Sequence, residues 1–156
     1  MMSSMIYYSY EDFKRDVPAL IAQMGAFRPD TVLAIARGGV TLGHALTMAL
    51  DIRNLQCIRV ESYDGTHHRE EVTVKTLCDL SDSHRVLIVD DIVDSGQTLS
   101  TLMPILSRRY PEIEFRSASL FYKQNASARP DYTLHEARDW IDFFWEGDFV
   151  LKTVSV

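Results

Sequence analysis

Basic charge is scarce in this 156-residue chain: 16 Lys and Arg stand against 22 Asp and Glu, a formal net charge of -6. A nucleic-acid binder normally shows a basic face. The one short basic run here is Arg108-Arg109, better read as cations favoured by the macrodipole at a helix C-terminus, so nucleic acid is not an expected partner. Cysteine is scarcer still: Cys57 and Cys78 lie in strand-like sequence without metal-ligand spacing, and reduced thiols of a cytoplasmic protein are expected. No apolar run approaches the roughly 20 residues that span a bilayer, so no membrane is implied. Met1 to Tyr10 has no basic region followed by an apolar core, so a secretory signal is not expected. Gly-Lys-Ser/Thr and Gly-x-Gly-x-x-Gly are both missing, which argues against a Walker-type or dinucleotide site. Repeats and low-complexity segments are absent as well.

What is present is ordinary in bulk, with 46% hydrophobic and 24% charged residues, as in a soluble globular protein. The length suits one domain, 1–156, able to bury about 68–70% of its unfolded surface. Ser9-Tyr10-Glu11-Asp12 reads as a capping box, followed by Phe13, Val17, Leu20, Ile21 and Met24 at helical spacing. Pro18 is expected to kink that helix or mark its true start. Thr31 to Ala36, Leu55 to Glu61, Arg85 to Val89, Ile113 to Tyr122 and Trp140 to Trp145 read as strands. Val40 to Leu50 and Thr98 to Tyr110 read as helices, the latter with an expected kink at Pro104. Ser62 to Glu71 reads as a polar loop, and Val72 to Leu77 as extended. Strands alternating with helices predict an α/β fold: a doubly wound, mainly parallel sheet of about five strands, flanked by helices.

In such sheets ligands bind at the carboxyl ends of strands, near the point where strand order reverses. Two loops occupy such ends, Arg37-Gly38-Gly39 and Asp90 to Thr98. In the second, an apolar run ends in Asp90 and Asp91, and Asp94 then opens a Ser95-Gly96-Gln97-Thr98 turn into a helical pattern. Free amides and the dipole at a helix N-terminus favour a phosphate there, and Gly96 permits positive φ or close backbone approach. Paired carboxylates just before it can accept from vicinal sugar hydroxyls or hold Mg2+. A purely structural loop rarely needs three acids and two hydroxyls within nine residues.

The segment Val86 to Leu99 resembles the binding signature of the type I phosphoribosyltransferases for phosphoribosyl pyrophosphate (PRPP). The loop Arg37-Gly38-Gly39 resembles their pyrophosphate loop. The pattern Lys123, Arg129-Pro130-Asp131-Tyr132 and Trp140-Ile141 is similar to the 6-oxopurine salvage members, the xanthine-guanine and hypoxanthine enzymes. The resemblance implies a small C-terminal hood over the sheet and transfer of the phosphoribosyl group from PRPP to a purine. It implies that Asp90 and Asp91 hold the ribose hydroxyls, and that Asp94 assists proton transfer at purine N7. Asp94, Ser95, Gly96, Gln97 and Thr98 would surround the 5′-phosphate. Arg37, Gly38 and Arg69 would meet pyrophosphate, the first two often through a strained peptide in this family. Lys123, Trp140 and Ile141 would bind the base, Trp140 by stacking. Mg2+ is the implied cofactor, held by Asp90 and Asp91, with Glu146 standing where the family has a downstream Asp. A homo-oligomer, dimer or tetramer, is implied as well.

The base assignment also has a physical argument. Lys123 ends the apolar run Ser119 to Tyr122, and its ammonium is donor-only while a 6-oxo group is acceptor-only. Adenine would leave both partners unpaired, which a site can exploit by a factor of about 10⁴ or more. Trp145 is expected in the core. His67 and His68, beside Arg69, read as a solvated loop, since no third ligand is spaced with them; with Gly65 as hinge, that loop is an expected lid. Two alternatives remain at this stage. One is a PRPP- or nucleotide-binding regulator of the same fold, which would need a basic nucleic-acid surface or an added DNA-binding domain. The other is a phosphoribosyltransferase for another base, which Lys123 with Trp140 fits poorly.

Overall fold

A computed structural model describes residues 4–64, 70–75 and 78–152. In chain order the elements are β1 (Met5–Tyr8), α1 (Tyr10–Met24), β2 (Thr31–Ala36), α2 (Val40–Leu50), β3 (Asn54–Asp64) and β4 (Glu70–Val74). There follow β5 (Arg85–Val93), α3 (Gln97–Arg109), β6 (Glu114–Tyr122), β7 (Tyr132–Glu136), β8 (Trp140–Phe143) and α4 (Phe144–Gly147). The central sheet has six strands in the order β4-β3-β2-β5-β6-β7, all pairs parallel except β3 with β4.

Continuous apolar sequence in β2 and β5 places alternate residues in two separate cores. Val32, Ala34, Leu87 and Val89 face the layer of α1 and α2, packing among Phe13, Leu20, Leu42 and Leu46. Leu33, Ile35, Val86 and Ile88 face α3, among Leu99, Leu102 and Leu106. Both faces are covered, as a doubly wound sheet requires. The capping box at the start of α1 is present: the Asp12 amide donates to Ser9 Oγ at 3.1 Å and the Ser9 amide to Asp12 Oδ2 at 3.0 Å. Neither Pro18 nor Pro104 bounds its helix; α1 and α3 run through them.

The sheet has six strands rather than about five, and its membership differs from expectation. Trp140 to Trp145 does not enter it: β8 stops at Phe143 and pairs in parallel with β1 in a separate two-stranded sheet. The residues explain this. Ile141 and Phe143 are buried while Trp140 is 67% exposed, the one-sided pattern of a covering strand rather than a central one. The hood is therefore built from both the N-terminal and C-terminal parts of the chain. β7 joins the sheet edge, where Asp131 accepts from the Ser117 amide at 2.8 Å; its five mixed residues carried little periodic signal. The polar stretch 62–71 is shorter as a loop than expected, because β3 and β4 form an antiparallel ribbon from Val60↔Val74 to Asp64↔Glu70. Gly65, His67, His68 and Arg69, with the lid expected there, lie outside the described residues.

Candidate active site

The order of strands reverses between β2 and β5: the chain proceeds outward to β3 from one and to β6 from the other. Their carboxyl ends therefore open into one crevice, the usual ligand position in such sheets. The loop after β2 begins with Arg37, and the Ala36–Arg37 peptide bond is cis. Gly39 caps this loop by donating its amide to Ile35 O at 2.8 Å. A Cβ on Gly38 would lie 2.5 Å from Asp91 Oδ2, so only a glycine lets the two loops pack this closely.

A cleft of about 580 Å3 spans the two loops and the hood. Arg37, Gly38, Asp90, Asp91, Asp94, Thr98, Lys123, Trp140, Ile141 and Glu146 all line it. A second hollow, of about 180 Å3, adjoins it and is lined by Asp90 and the run Ile92 to Leu99, including Ser95, Gly96 and Gln97. Of the ligand-binding residues expected from the sequence, Arg69 lies outside the described set.

The second hollow is a helix N-terminus. Gly96 sits before α3 with φ 83°, and the Gln97 amide donates to Ser95 Oγ at 3.2 Å. The next amides of the first turn, Thr98 and Leu99, have no partner within the helix by geometry, and with the hydroxyls of Ser95 and Thr98 they suit an anion. The loop after β6 braces this turn: Ser127 donates to Ser95 O through its amide at 2.8 Å and its hydroxyl at 3.0 Å. Sequence reading missed that brace.

Asp90, half-buried, and Asp91, 7% exposed, form the floor. The Asp91 amide donates to Asp90 Oδ1 at 2.9 Å, and the Ile92 amide to Asp91 Oδ1 at 2.7 Å. Burial, and then the neighbouring Asp91 charge, holds the Asp90 carboxyl well above the usual carboxylate range. Burial raises Asp91 too. Glu146 is pushed up by burial and by Asp91, with Arg37 pulling the other way. Three carboxyls thus crowd one end of the cleft, with the Arg37 guanidinium beside Glu146. Such an oxygen-only, electron-rich set fits Mg2+, which takes one or two carboxylates and fills its remaining positions with water and substrate oxygens. Among the described residues no three His, Cys, Asp or Glu side chains form a ready-made metal cage.

At the other end, Lys123 Nζ stands 2.9 Å from Asp94 Oδ1. Trp140 projects from the hood, two-thirds exposed, beside buried Ile141. Trp145, half-buried, packs against the core as expected, stacked on Phe143 with ring centres 4.7 Å apart. Arg138 and Asp139 also line the cleft; their position directly before Trp140 was the available signal. In sum, one crevice holds an anion cradle, an acidic floor, a donor-acceptor pair and an exposed indole.

Residues 7–148 match the family described as phosphoribosyl transferase domain. The chain is 31% identical over 144 residues to a xanthine-guanine phosphoribosyltransferase of Idiomarina loihiensis, covering 90% of this chain and 86% of that protein. Among solved structures, it is similar to the xanthine-guanine-hypoxanthine phosphoribosyltransferase of Helicobacter pylori, with TM-score 0.86, 36% identity, and 93% and 96% of the two chains covered. A purine phosphoribosyltransferase of Pyrococcus horikoshii gives TM-score 0.80 at 31% identity, with 96% and 99% covered.

Proposed function

The chain belongs to the phosphoribosyl transferase domain family, and from that footing we propose that it transfers the 5-phosphoribosyl group of PRPP to a 6-oxopurine. Guanine, xanthine or hypoxanthine would yield its nucleoside 5′-monophosphate and pyrophosphate. Relatives named for these bases support the reading. The observation that carries it is the Lys123–Asp94 pair at 2.9 Å beside the anion cradle. A 6-oxopurine presents O6 and N7 side by side. The ammonium donates to O6, and the carboxylate accepts the proton on N7. Adenine offers a donor at position 6, which leaves the ammonium without an acceptor.

In this reading the α3 N-terminus, with Ser95, Gly96, Gln97 and Thr98, holds the 5′-phosphate, and Asp94 borders that loop on the side of the base. Asp90 and Asp91 accept from the ribose hydroxyls. Trp140 stacks on the base, and the backbone at Ile141 contacts its exocyclic groups. The bond from ribose C1 to pyrophosphate breaks, and the leaving oxygens keep the electron pair. The N9 lone pair forms the new bond to C1, and the proton released from N7 passes to Asp94. Arg37 and the backbone at Gly38, with Arg69 outside the described residues, meet the charge that develops on the leaving group. Asp90, Asp91 and Glu146 would hold Mg2+, which when bound neutralises pyrophosphate oxygens.

The reading extends to a cytoplasmic homo-oligomer. Two free thiols support the compartment, since disulfides are rare there. Exposed Phe149, Val150 and Leu151 support a covered surface, since contiguous apolar exposure marks interaction sites. Steady-state assays with PRPP, Mg2+ and guanine, xanthine, hypoxanthine, adenine or uracil test the function. Turnover confined to the 6-oxopurines is expected; turnover with adenine or uracil alone overturns it.

A further inference from the structure

A polar cluster built on a buried carboxylate lies outside the lining of the cleft, and the reaction above does not use it. Asp16 on α1 is only 4% exposed. Its Oδ2 receives the Tyr8 hydroxyl at 2.6 Å and faces His135 Nε2 at 2.7 Å. A carboxylate only accepts, so His135 presents Nε2–H to it. Arg15 Nε stands 3.8 Å from the other oxygen. Burial and the Asp16 carboxylate raise the Tyr8 hydroxyl far above its ordinary value, so it remains a donor.

The three residues come from three elements. Tyr8 belongs to hood strand β1 and lies opposite Phe143 of β8. His135 belongs to β7, at the edge of the central sheet. The chain between His135 and Phe143 delivers Arg138, Asp139, Trp140 and Ile141 to the cleft. One oxygen of Asp16 thus anchors the start of that segment directly and its end through the β1 pairing. Apolar packing alone would seat the Tyr8 ring, which makes edge contacts with Phe121, Phe143 and Trp145 at 5.3–5.9 Å. A buried carboxylate is costly to keep and is weak evidence of a stability role, so its place here calls for another reason.

We propose that Asp16 is a positioning residue for the base subsite, clasping the hood to the sheet edge so that the 138–141 segment meets the purine. The proposal rests on the 6-oxopurine reading above. The ribose and 5′-phosphate contacts of PRPP belong to the loop after β5 and that of Arg37 to the loop after β2, neither of which the clasp touches, and Glu146 would reach PRPP only through Mg2+, so at saturating Mg2+ the two substrates separate the effects.

Tyr8→Phe and His135→Leu each remove one donor while leaving the Asp16 site filled. Steady-state kinetics on each, with melting temperature measured alongside, provide the test. The KM for guanine is expected to rise about five- to ten-fold, the size of one net hydrogen bond, with the KM for PRPP unchanged. His135→Gln, which keeps an amide donor, is expected to recover part of the loss. The proposal is overturned if both KM values move together, or if melting temperature falls and neither KM moves. Absence of any nucleotide product from the unaltered chain would remove the functional reading, and the proposal with it.

Discussion

Lys123 and Asp94 form an ion pair whose side chains are 40% and 67% exposed. Pairs this open contribute little to stability because solvent screens them. They can therefore exchange one another for substrate groups at small cost, which suits a recognition pair better than a structural one. Replacing Asp94 by Ala is expected to remove most turnover while PRPP still binds. Replacing Lys123 by Met is expected to lower kcat/KM for guanine by about a hundred-fold or more, again with PRPP binding intact. Calorimetric titration with PRPP beside steady-state kinetics checks both; loss of PRPP binding in either variant would contradict the assigned roles. These two residues were legible because each ends or follows an apolar strand with an abrupt change of chemistry. Asp16 was not legible: its partner His135 is 119 positions away, and no local pattern marks either residue.

At the scale of elements, the phosphate cradle depends on the way α3 begins. Gly96 has φ 83°, and a Cβ there would lie 2.5 Å from the Ala128 amide nitrogen. The left-handed backbone alone costs an alanine about 1–2 kcal/mol, and the contact forces the bracing loop away. Gly96→Ala is expected to lower the melting temperature and weaken PRPP binding together. A variant with unchanged PRPP affinity would show that the turn does not hold the phosphate. β2 and β5 could be read from sequence because strands buried on both faces are apolar without interruption. β1 and β7 were missed and β8 was read as a strand but assigned to the central sheet, since short half-exposed strands mix polar and apolar residues, and their partners are set by tertiary packing. The capping box before α1 was legible for the opposite reason: both its hydrogen bonds lie within four residues.

For the molecule as a whole, part of the acidic excess behind the net charge of -6 sits in the cleft, where it is costly. Burial raises Asp90, Asp91 and Glu146 above the ordinary carboxylate range, and the Asp91 charge pushes Asp90 and Glu146 further up. A carboxyl raised on folding favours the folded state below its unfolded pKa of about 4, and that contribution is lost as pH rises through the folded value. Glu146→Gln removes one such charge. It is expected to raise the melting temperature of the unliganded chain by a few degrees at neutral pH, with the gain vanishing below about pH 4, while activity falls. A neutral-pH melting temperature at or below that of the unaltered chain would contradict the charge argument. Stability yielded to activity at a binding site is a common pattern, and here it explains an acidic protein that handles phosphates.

In the proposed reaction this crevice breaks the bond between ribose C1 and pyrophosphate only when a purine is there to receive the sugar. Phosphorus NMR of a mixture of the protein, Mg2+ and PRPP, recorded before and after guanine is added, tests it most directly. Intact PRPP is expected at first, then one pyrophosphate and one nucleoside monophosphate for each PRPP consumed. PRPP that binds and persists unchanged in the presence of every 6-oxopurine would contradict it.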